Sequence, residues 1–160
     1  MILGMTPFTL IHVLISLAGI LSGLIVIRGF LRSAWLDGWN RIFLVTTALT
    51  SITGFFFPYD GMVLPSHILG VISLLVLIPA VYAWAAKRLA GGWRTVYVAG
   101  TVAAEYFNCF VLVVQLFLKV PALHALAPSG TEPAFGGAQG LLLLIFLWLG
   151  WRSARQFHPK

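Results

Sequence analysis

The stretch AEYFNCFVLVVQLFLK (104–119) is almost wholly apolar, yet it keeps a carboxylic acid, two amides and a terminal lysine. Successive helical residues turn by about 100°. Glu105, Asn108, Leu112, Gln115 and Lys119 then fall in one sector of a single helix. An acid in hydrocarbon costs at least about 2.5 kcal/mol, so Glu105 is expected to face protein or water rather than lipid. Other segments supply matching polar faces. His12, Ser16, Gly19 and Gly23 share one side of the first apolar run, with Gly19 and Gly23 in a GxxxG pattern that permits close helix approach. TTALTSITG (46–54) places Thr46, Thr50 and Thr53 on one stripe, with Thr47, Ser51 and Gly54 beside it. Ser66, His67, Gly70 and Ser73 occupy a broader sector of a third segment.

Two readings of these faces stand side by side. In the first, Ser16, Thr50, Glu105, Asn108 and Gln115 line an outward-opening polar pocket for a small ligand, with His12 and His67 near its mouth. In the second, the same residues are structural glue: Ser and Thr in membrane helices bond their own backbone or a neighbour, and GxxxG is packing. The two histidines also raise b-type haem, which needs two imidazoles on facing helices at one depth, with small residues such as Gly19 and Gly70 making room. A metal site built from His12, His67 and His124, with Asp60, suits zinc or copper by ligand type but has no motif spacing.

The elements that must position these residues are membrane helices. Of the 160 residues, 60% are hydrophobic and 9% charged, and the mean hydropathy is +0.99. Soluble domains run about 25% charged. Five apolar runs, near 8–29, 39–57, 64–86, 94–118 and 135–152, approach the roughly 20 helical residues needed to cross a bilayer. They lack the period-2 alternation of barrel strands. The fold class is all-α, an integral membrane bundle of five transmembrane helices forming a single domain over 1–160. The N-terminal run lacks a basic leader and is read as a retained helix. Pro79 is expected to kink the third helix, and Pro121 to start a short surface helix.

The net charge of +6 follows a membrane pattern rather than a nucleic-acid one. Arg28, Arg32, Arg41, Lys87, Arg88, Arg94, Arg152, Arg155 and Lys160 fall on one side of a five-helix arrangement, and Lys119 on the other. The positive-inside rule makes that side cytoplasmic, with the N-terminus periplasmic and the C-terminus cytoplasmic. All six Trp cluster near the same ends as an interfacial belt. No hydrolase, zinc-protease, P-loop or Rossmann signature is present. Lone Cys109 excludes an intrachain disulfide. Membership of a homo-oligomer or a larger membrane complex is compatible with so loop-poor a chain, as is a purely structural accessory role.

Two resemblances add to this reading. The segments LTSITGFFFP, LPSHILGVISL and YFNCFVLVVQLFLKVPALHALAPSGTEP resemble a group of uncharacterised small polytopic inner-membrane proteins of bacteria. That resemblance implies a bacterial inner-membrane location and brings no activity with it. The His of the first helix, TSITG and PSHILG resemble, over residues 8–75, small bacterial cytochrome-b-like membrane families. This implies b-type haem with His12 and His67 as axial ligands, on a chain with only one His in each of helices one and three. Two outcomes check the orientation and the haem reading. A reporter fused after Lys160 should report cytoplasm, and one inserted at 129–132 should report periplasm. Haem bound by both imidazoles should give a low-spin Soret band that His12→Ala abolishes.

Overall fold

The computed structural model describes residues 6–57 and 65–158. It is all-helical there, with α1 (Pro7–Leu31), α2 (Asp37–Gly54), α3 (Pro65–Ala85), α4 (Trp93–Lys119), α5 (Pro121–Leu126) and α6 (Pro133–Gln156). Four of these, α1, α3, α4 and α6, are long and apolar enough to cross a membrane. α2 falls short of that measure because Asp37, Asn40 and Arg41 occupy its first turns and Thr and Ser its second half. The boundaries have local causes. Thr6 caps α1 by accepting from the Thr9 amide at 3.2 Å. Prolines open α1, α5 and α6, where a missing N–H costs nothing. α3 runs through Pro79 as one helix. α6 starts earlier and ends later than its apolar run, from Pro133 through Arg152 and Arg155 to Gln156. Before it, the Glu132 carboxylate accepts from the Ser129 amide and hydroxyl and from the Thr131 amide. Those bonds, the Ser129 amide first, hold it below the usual carboxylate range.

α2 lies between α1 and α3, and α4 closes the ring by packing on both α3 and α1. α6 lies outside against α4 and α1. The outer surface is apolar: Leu14, Leu17, Leu21 and Leu24 of α1 and Leu141, Leu144 and Leu147 of α6 are exposed, while Asn40, Thr47, Thr101 and Glu105 are buried. Such a distribution is compatible with lipid-bilayer contact. The helices meet at small residues. A Cβ added at Gly100 of α4 would lie 2.9 Å from the Ala80 side chain of α3, so the two backbones approach as closely there as glycine allows.

The basic end is tied together by aromatic rings. Phe157, just beyond α6, is fully buried, 4.7 Å from Phe30 and 6.2 Å from Trp35 between ring centroids. Tyr97 meets Phe30 and Trp35 at 5.9 and 5.6 Å and donates to Asn40 Oδ1 at 2.5 Å. The Phe157 carbonyl accepts from Arg94, and the His158 amide donates to Ser33 Oγ at 2.8 Å. The segment after α6 is therefore docked between α1, α4 and the α1–α2 connection. Phe157→Ala should lower stability by about 3–5 kcal/mol, the usual cost of removing a buried aromatic ring. Unfolding of the purified protein in mixed micelles measures it.

Candidate functional site

The polar faces of α1 and α2 meet each other in an antiparallel zipper. His12 Nδ1 shares a hydrogen bond with Thr53 Oγ1 at 2.8 Å. One turn on, Ser16 Oγ donates to Thr50 Oγ1 at 3.4 Å and to its own helix at His12 O, 2.7 Å. Next, a Cβ at Gly19 would stand 3.3 Å from Thr46 Oγ1 and 3.6 Å from Thr47 Oγ1. Thr46 and Thr53 also donate back to the carbonyls of Ile42 and Leu49 at 2.7 Å each. Side chains so engaged satisfy one another.

The two histidines pack on different rings. α2 stands between the helices that carry them. His12 packs edge-on against Phe57 at 4.9 Å, while His67 stacks on Phe55 at 5.7 Å and 11°. The glycines expected to leave room for a macrocycle are filled from α2: Gly19 by Thr46 and Thr47, Gly70 by Phe55, whose Cζ lies 3.2 Å from a built Cβ. These residues do not fit a haem held between α1 and α3. His124 is exposed on α5, and Asp60 lies outside the described residues. Among the described residues no three His, Cys, Asp or Glu side chains gather as metal ligands.

Glu105 points inward and is fully buried. Its carboxyl sits under Gly23 of α1, where any Cβ would overlap it. Asn108 Nδ2 donates to Glu105 Oε2 at 3.3 Å and to Thr47 Oγ1 of α2 at 3.1 Å. Cys109 Sγ lies 3.6 Å from Glu105 Oε1. One acid thus links α1, α2 and α4, with Asn108 as the bridge. No Lys, Arg or His forms an ion pair with it among the described residues, where the single salt bridge is Arg41–Asp37 at 2.9 Å. Gln115, at the far end of the stripe, is exposed and apart from this junction.

An open cleft of about 720 Å³ lies at the basic end, away from the expected outer pocket. Trp35 and Trp84 form apolar walls, and Arg88, Arg94 and His158 bring the polar groups. Arg88 stands just past α3 with φ +48°, and Leu89 follows at +58°. The turn closes with Leu89 N donating to Ala83 O at 3.0 Å. That left-handed position usually takes glycine, so two bulky residues there hold a strained turn. Sequence reasoning missed this cleft. Its arginines read as topology markers and its tryptophans as belt anchors, and only tertiary packing brings them together.

Two substitutions test the junction. Glu105→Gln keeps shape and acceptor and should retain near-wild-type thermal stability, whereas Glu105→Leu strands Asn108 and should cost about 1–2 kcal/mol. Gly23→Ala drives a methyl into the carboxyl and towards Phe43, and should cost about 1–3 kcal/mol in the same melts.

Comparison of the chain with protein families, curated proteins and solved structures returns no significant match, so the functional reading rests on the geometry alone.

Proposed function

We propose that the chain is a five-span inner-membrane protein of bacteria that binds a small ligand in the cleft at its basic, cytoplasmic end, alone or within a larger membrane complex. The observation that carries this reading is the cleft itself, an open groove lined by two arginines, a histidine and two tryptophans. The strained Arg88–Leu89 turn supports it, because such backbone persists mainly where the surroundings hold a side chain for a purpose. The outward pocket around Ser16, Thr50 and Gln115 is the weaker alternative, since Ser16 and Thr50 are bonded to each other and Gln115 stands apart.

The fifth span is α2. Its 18 residues rise about 27 Å, close to a bilayer core of about 30 Å. It runs antiparallel to α1 from Thr53 beside His12 to Phe43 beside Gly23. A helix zipped along a spanning neighbour at that length shares its depth. Five crossings put nine of ten basic residues on one side, with the N-terminus periplasmic. Arg41, Lys87, Arg152 and Arg155 each sit over a tryptophan, Trp84, Trp93, Trp148 and Trp151 respectively, as expected of side chains at a charged interface.

Filling the cleft tests the binding reading without removing a charge. Protein purified in mild detergent should release a stoichiometric small molecule on solvent extraction, identified by mass spectrometry. Ala85→Trp, which places a ring in the cleft, should lose most of it while keeping the thermal midpoint. Equal yield from both proteins would contradict the assignment.

A further inference from the structure

The charge of the cleft restricts what it takes. The chain has four acidic residues, Asp37, Asp60, Glu105 and Glu132. Asp37 is paired with Arg41, Glu105 is enclosed among α1, α2 and α4, and Glu132 is capped by Ser129 and Thr131 before α6. Asp60 belongs to the α2–α3 connection, at the other end of the sequence-derived topology. Among the described residues no carboxylate lines the cleft. Arg94 uses one N–H on the Phe157 carbonyl, which fixes its guanidinium and leaves further donors. His158 is set by its amide bond to Ser33 and has Nδ1 at 3.4 Å from Gln156 O, which leaves Nε2 for another partner. Arg88 has no acceptor among the described residues. α4 starts at Trp93 without a side-chain cap, so its positive end faces the same region as Arg94.

Resting on the assignment of this cleft as the ligand site, we propose that its ligand carries a phosphate group, held by Arg88, Arg94 and His158, with an apolar portion against Trp35 and Trp84. Fork-shaped guanidinium donors match phosphate oxygens in pairs, and a basic pocket between helices at a membrane face suits a phosphate-bearing headgroup. The same chemistry has two sources, an anionic phospholipid of the bilayer or a soluble phosphate ester.

The test titrates the full-length detergent-purified protein with short-chain phosphatidylglycerol, the matching diacylglycerol and free glycerol 3-phosphate, following tryptophan fluorescence. Phosphatidylglycerol should bind and diacylglycerol should not. Arg88→Gln and, independently, His158→Gln should each weaken binding by about tenfold or more, as expected for loss of a contact to a charged group. Arg155→Gln, whose guanidinium sits over Trp151 at 4.6 Å and outside the cleft, should change nothing. Binding of phosphatidylglycerol without glycerol 3-phosphate identifies a lipid headgroup, and binding of both identifies the phosphate itself. Equal binding of diacylglycerol, equal weakening by Arg155→Gln, or no binding of any phosphate probe overturns the proposal. If Ala85→Trp still displaces a copurifying molecule while phosphate probes fail, the chemistry proposed here is wrong and the cleft remains the site.

Discussion

A carboxylic acid inside an apolar bundle must be enclosed and hydrogen-bonded, and the arrangement of this chain follows from how that is done for Glu105. The acid occupies a place where α1 offers no side chain, beneath Gly23. Asn108 spends its two amide hydrogens on Glu105 and on Thr47, so α4 is locked to α2 by the same group that partners the acid. With α1 held over the carboxyl and α2 beside it, the remaining α1–α2 contacts fall into register towards the opposite end: Gly19 on Thr46 and Thr47, Ser16 on Thr50, His12 on Thr53.

That register decides which polar groups the α1–α2 seam uses. The zipper uses the polar groups that face one another along α1 and α2. α2 fills the gap between α1 and α3 with Phe55 and its threonines. At the basic end the constraint is reversed. There the helices are joined by short connections and by the docked Phe157, and the arginines around that aromatic cluster find few acids to pair with. The proposed ligand, an amphiphile with a negative head, would meet aromatic rings and guanidinium groups at that end.

The helices were legible because a long apolar run without alternation has few other fates in lipid. α2 alone of the five falls short of a spanning composition, for a chemical reason: Asp37, Asn40 and Arg41 occupy its first turns, and its second half is threonine and serine that bond towards α1. The inward aim of Glu105 was legible from its cost, but its partner was not. Ser16 shares the expected depth and is bonded to Thr50 instead, while Thr47 reaches the acid through Asn108. Gln115 illustrates the limit of helical periodicity, since it sits about 80° around the helix from Glu105, at the edge of the stripe, where it is exposed. Periodicity gives a face but not the neighbour that covers it. The cleft was invisible for a related reason. Trp35, Trp84, Arg88, Arg94 and His158 come from separate connections and helix ends, and only tertiary packing brings them together.

The most direct measurement is a density map of the protein in nanodiscs formed from native membrane lipids. The account predicts non-protein density between Arg88 and His158, against Trp35 and Trp84, with the Glu105 carboxyl packed under Gly23 and nothing inserted beside it. Density lodged beside Glu105, or between His12 and His67, with the basic cleft empty, would contradict it.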